Sequence, residues 1–150
     1  ALNTELPREI RIEKLDRVIE VLNPVSRTVS DLDEALLSGV VRHPDSARLG
    51  QDGNVFILGH SSYLPQVFNQ NFKAFNGIET LEWGDMIEVV GQENVYTYRV
   101  ERVYEATAND ATVIPIATED RRLTLATCDS FGSVDDRFIV EAVEVSIRPL

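Results

Sequence analysis

Alternation at period two runs through most of this chain, and no other feature of the sequence restricts the fold so strongly. In "REIRIEKL", Ile10 and Ile12 alternate with charged neighbours, and "RVIEVL" carries branched residues in the same rhythm. Successive side chains of a strand point to opposite faces, so such segments bury one face and wet the other. "NVFILGH", "DMIEVVG", "NVYTYRVERVYEA", "ATVIPI", "RRLTLATC" and "RFIVEAVEVSI" continue the pattern, while "GQEN" has the turn residues of a hairpin. Helical signals are short. "SDLDEALLSGV" offers Ser30 or Asp31 as N-cap and Gly39 near its end, and "PQVFNQNFKAF" has room for a turn or two before Asn76-Gly77. The pattern predicts an all-β fold of about eight strands with one or two short helices. Short, even strands with two longer loops, 41–54 and 106–122, favour a closed β-barrel, which leaves no exposed edge.

The chain of 150 residues is the length of one domain spanning 1–150, long enough to bury a core without a disulfide or metal staple. No apolar run reaches the roughly 18 residues of a membrane helix. Lys and Arg total 14 against 25 Asp and Glu, a formal net charge of −11. Such a surface repels a phosphate backbone, so nucleic acid is not an expected partner. The single cysteine, Cys128, excludes an internal disulfide and leaves an inert core thiol, an intermolecular bridge or a reactive nucleophile.

Nucleophilic thiol chemistry needs a thiolate, a proton donor for the leaving group and a positive or hydrogen-bonding group where oxyanion charge develops. Three residues supply these at the ends of predicted strands. Cys128 closes "LTLATC", His60 closes "FILGH", and Arg137 opens "RFIVEAV". Should those strands be neighbours, the three side chains share one rim of the barrel. The residues alone equally allow a core cysteine, a histidine capping a loop and an arginine paired with Asp135, Asp136 or Glu141.

Taken together, "GNVFILGH", "LTLATC" and "RFIVEA" resemble, in that order, the three signature segments of the sortases. "LLSGVVRHP" and "FNGIETLEWGDMIEV" resemble the stretches on either side of the histidine strand, and "NVYTYRVERVYEA" resembles the long strand before the substrate loop. The likeness covers roughly Arg8 to Ile147. It implies an eight-stranded sortase-type barrel and an extracytoplasmic cysteine transpeptidase at a bacterial cell surface, tethered by an N-terminal membrane helix lying outside this sequence. By that resemblance Cys128 attacks the carbonyl after the threonine of a Leu-Pro-X-Thr-Gly-type sorting signal. The thioester then passes to an amine from a cell-wall precursor or a lysine side chain, anchoring a surface protein. His60 serves as acid and then base, and Arg137 holds the substrate carbonyl or oxyanion. Unperturbed thiol and imidazole titrate near 8.5 and 6.5, so a neutral pair is the expected majority state near pH 7.

Sorting-signal recognition is expected of the loop 106–122, with Val113 and Ile114 forming an apolar groove and Thr127 contacting substrate beside the thiol. The alternative places Val113 and Ile114 in a core strand and points Thr127 into the barrel. No cofactor is expected. Calcium, which some sortases use, has possible acidic ligands in Glu79, Glu82 and Asp85 or in Glu119 and Asp120, yet no EF-hand-like spacing supports it. His43 reads as a loop residue, and His43, His60 and Cys128 lack a zinc-ligand spacing. The rival activities are a peptidase using the same triad, with water resolving the thioester, and a non-catalytic barrel with an inert thiol.

Overall fold

The structure, a computed structural model, describes residues 4–61, 74–106, 117–127 and 137–150. Eight strands are described: β1 (Glu9–Ile12), β2 (Arg17–Leu22), β3 (Val40–Arg42), β4 (Gly53–Gly59), β5 (Met86–Val90), β6 (Asn94–Ala106), β7 (Arg121–Thr127) and β8 (Arg137–Pro149). They close into a barrel in the order β1-β2-β3-β4-β7-β8-β6-β5, with β5 pairing back onto β1. Alternation explains the interior. Ile10, Ile12, Ile19, Val21, Ile87 and Val89 all face inward with at most 5% exposure, while their neighbours Arg11, Val18, Glu20 and Glu88 stay accessible. Removing each such aliphatic side chain from water contributes roughly 1.5–3 kcal/mol.

Seven of the eight expected strands are found among the described residues, together with β3, which was not expected. The segment "ATVIPI" (111–116) lies outside the described residues, and β3 takes a place that alternation did not reveal. The physical reason is that β3 is buried on both faces. Val40 enters the core, Val41 packs under Leu32 and Leu36 of helix α1 (Val29–Leu36), and Arg42 is itself buried. The Arg42 guanidinium is satisfied by donating to Asn23 Oδ1 at 2.9 Å and to the Ser46 carbonyl at 2.6 Å. "REIRIEKL" is strand only to Ile12, after which a 3-10 turn, Glu13–Leu15, leads to Asp16 at φ 49°.

Helix α1 carries the connection between β2 and β3, which run parallel and therefore need a crossover. Its N-cap is Thr28, not Ser30 or Asp31, because the Thr28 hydroxyl accepts from Asp31 N at 3.2 Å. Gly39 follows the helix for a packing reason. A Cβ there would meet the Glu20 carbonyl oxygen at 2.7 Å, where β3 closes on β2. The expected helix in "PQVFNQNFKAF" falls mostly in 62–73, outside the described residues. The expected hairpin at "GQEN" is present between β5 and β6, with Val90 opposite Val95.

Candidate active site

Strand direction builds the site. β4 and β7 pair in parallel with continuous register from Gly53↔Arg121 to Gly59↔Thr127, so both end at the same rim. β8 is antiparallel to β7, with Ala126 opposite Ile139, and so it begins at that rim. Its first residue, Arg137, is also registered with Ala106 at the end of β6. The ends of β4 and β7 and the start of β8 therefore meet at one edge of three adjoining strands. His60 follows Gly59, and Arg137 starts β8, with β7 between them. At 4.7–4.9 Å per strand that separation is about 10 Å, enough for one intervening residue.

Cys128, the residue after Thr127 in sequence, lies outside the described residues, as do Val113 and Ile114. His60, Thr127 and Arg137 are described. His60 is 7% exposed, and its backbone carbonyl accepts from Phe75 N at 2.9 Å. The preceding Gly59 admits that arrangement because a Cβ would collide with the Phe75 ring at 2.6 Å and with Val40 Cγ1 at 2.7 Å. Phe75 is fully buried in the main core, so the backbone of the imidazole-bearing residue is anchored to close-packed side chains. Arg137 is half-buried.

Thr127 is 4% exposed, on the same strand face as the core residues Leu123 and Leu125. Its Oγ1 accepts from Phe138 N at 2.9 Å. Neither this bond nor the Gly59–Phe75 contact had been anticipated, although alternation through Leu123, Leu125 and Thr127 indicates the inward face.

Beside the rim, the outer surface of the same four strands carries a second apolar cluster. Leu58, Ala126, Ile139 and Ala106 are buried there, with Phe56 and Tyr104 packed against them. Tyr104, Ile139, Ala126 and Leu58 form one transverse row by register. The next row holds Arg102, whose guanidinium lies 4.1 Å over the Tyr104 ring and 3.7 Å from Glu141. Burial first, and then the Glu141 charge, push the Tyr104 hydroxyl pKa up. The cluster is a small buried apolar layer on the face away from the main core, bordered by the Arg102–Glu141 pair. An open groove of about 370 Å³ lies on the opposite wall, lined by Arg11, Arg17, Val18, Met86, Glu88 and their neighbours, with no cysteine or histidine in its lining.

Two of the acids considered for calcium, Asp85 and Asp120, have protein partners. Asp85 accepts from Lys14 Nζ at 3.0 Å and from Glu82 N at 2.7 Å, and Asp120 accepts from Arg122 Nε at 3.0 Å. His43 sits in the turn after β3, where its Nδ1 accepts from Asp45 N at 3.1 Å. Burial lowers its pKa, although Asp45 acts in the other direction.

Comparison with known proteins agrees with this architecture. A family model described as a sortase domain matches residues 10–145. Sortase A of Bacillus anthracis is 31% identical over 111 residues, which are 74% of this chain and 49% of the relative, so the chain spans about half the length of that curated relative. Sortase E from Streptomyces avermitilis superposes with a TM-score of 0.74 at 25% identity, covering 98% of this chain and 93% of the other. Sortase A of Listeria monocytogenes shares the fold with a TM-score of 0.70 at 21% identity, covering 99% and 92%. Because the family match runs from β1 through most of β8, and the barrel superposes on those of solved sortases over nearly its full length, the chain belongs to the sortase family.

Proposed function

We propose that the protein is a cysteine transpeptidase that joins surface proteins to an amine at the bacterial cell surface, with Cys128, His60 and Arg137 as its catalytic residues. The observation that carries this reading is the parallel register of β4 and β7. It ends both strands at one rim, where β8 also begins, and this shared rim supports reading His60, Cys128 and Arg137 as one site. In the proposed reaction the Cys128 thiolate attacks the carbonyl after threonine in a Leu-Pro-X-Thr-Gly-type sorting signal. The scissile C–N bond breaks, and protonated His60 gives its proton to the departing amine. An incoming amine then attacks the thioester and loses a proton to His60, and the C–S bond breaks as the new amide forms. Arg137 offers a fork of N–H donors to the oxyanion in both steps.

Apolar leading residues of the peptide substrate follow from the proposed signal class. Val113 and Ile114 remain candidates for the groove wall, and the amine is assigned to a cell-wall precursor or a lysine side chain. A membrane tether preceding this sequence belongs to the proposal. Among the described residues no helix is long and apolar enough to cross a membrane.

The test is incubation with a panel of Leu-Pro-X-Thr-X peptides, with and without added amines, followed by mass spectrometry. A thioester adduct that Cys128→Ala abolishes, and that an amine converts to an amide, supports the reading. Hydrolysis unaffected by any amine makes the protein a peptidase. Absence of any adduct from folded protein with a titratable thiol refutes the assignment of this signal class.

A further inference from the structure

The β7–β8 ladder holds backbone pairs up to Ala126↔Ile139, and the next pair in register is Thr127 with Phe138. There the link between strands is made by a side chain, since Phe138 N donates to Thr127 Oγ1 at 2.9 Å. The same residue is registered with Gly59 on its other side. Thr127, the residue before Cys128, thus ties together the residue before His60 and the residue after Arg137. At 4% exposure its oxygen is largely shielded from water, so losing it leaves the Phe138 N–H in a site with little solvent to replace it.

We infer that Thr127 is a positioning residue of the acyl-transfer site, its hydroxyl setting where Arg137 stands relative to the nucleophile's strand. A carbonyl-to-amide ladder bond fixes strand spacing by backbone alone. A side-chain acceptor at the last position lets the two strands part beyond it while still fixing the start of β8. Oxyanion stabilisation is sensitive to donor placement at the level of an ångström or less, so a mobile Phe138 amide translates into a misplaced guanidinium. The inference rests on the catalytic reading given above.

Valine removes the oxygen and keeps the shape, while serine keeps the oxygen. For T127V, the Phe138 amide is expected to exchange with deuterium at least about tenfold faster, and in T127S at the rate of the unaltered protein. With the panel peptide that acylates best, T127V is expected to lose about tenfold or more in kcat with KM within roughly twofold, and T127S to stay within about threefold of the unaltered protein. The pH profile of Cys128 alkylation should not move, because the thiol and imidazole are untouched. The deciding comparison is T127V in an R137A background, where no further loss is expected if Thr127 acts through Arg137.

The inference is overturned if T127V costs the same factor again without Arg137, if T127S behaves like T127V, or if T127V matches the unaltered protein. Should T127V not fold, T127A carries the same comparison, and rapid Phe138 amide exchange in the folded unaltered protein overturns the inference without any variant. An unaltered protein that forms no Cys128-dependent adduct overturns both the catalytic reading and this one. An active protein with additive variants overturns this one alone.

Discussion

Gly59 shows how one missing side chain sets the geometry of the site. Its position leaves 2.6 Å to the Phe75 ring and 2.7 Å to Val40, both in the core, so neither neighbour has room to retreat. G59A is therefore expected to cost about 1–3 kcal/mol in urea denaturation. Because His60 is the next residue, the proposed transpeptidation should fall in the fraction that remains folded. Arg137 makes a second claim at this scale. Its proposed task depends on a planar fork of donors, which an ammonium does not reproduce. R137K is expected to keep the thermal stability of the unaltered protein and to lose on the order of 100-fold in kcat, the usual cost of one oxyanion donor. Equal kcat in the two would remove Arg137 from the catalytic set.

At the scale of elements, two local contacts join segments that pair little through backbone. Glu5 belongs to the N-terminal segment, bridged to Leu49, and its buried carboxylate reaches into the β5–β6 hairpin. It accepts from Glu93 N at 2.5 Å, Asn94 Nδ2 at 2.9 Å and Tyr96 Oη at 2.5 Å. Gly91 leaves the space for it, since a Cβ there would lie 2.7 Å from the carboxylate. Burial pushes the Glu5 pKa up, but hydrogen bonds from Tyr96, Asn94 and Glu93 outweigh it, and the net shift is below the ordinary value of 4.5. A depressed folded-state pKa gives stabilisation that is fully present above pH 4.5 and lost as pH falls through the folded value. E5Q should accordingly be less stable than the unaltered protein by about 1–3 kcal/mol at pH 7, with the difference shrinking below pH 4 in urea titrations. Helix α1 rests on its cap and on Leu32 and Leu36, so T28A should cost about 1 kcal/mol and leave activity unchanged.

Across the whole molecule, closure of the barrel is what makes the rim a site. Ile57 is fully buried midway along β4, two residues before Gly59, and I57A is expected to cost about 2–5 kcal/mol. For a chain of this size that lowers Tm by on the order of 10 °C, measurable by calorimetry. The strands were legible in the sequence wherever one face is wet, as in β1, β2, β5 and β6, because alternation records the difference between water and core. β3 was not legible, since α1 covers its outer face and Arg42 is buried among carbonyls, which erases the pattern. The candidate residues His60, Cys128 and Arg137 were legible as strand ends bearing the right chemistry. The sharing of one rim by the ends of β4 and β7 and the start of β8 was not, because it depends on β4 pairing in parallel with a strand more than 60 residues later, and local pattern carries no record of which strands pair. Nor were the Thr127–Phe138 bond and the Gly59–Phe75 contact visible, both being made between segments distant in the chain. By itself the sequence determined which residues face inward and which carry reactive groups, since both follow from side-chain type and period. Only the tertiary structure decided which strand ends share a rim, because register and closure arise from burying all the strands at once.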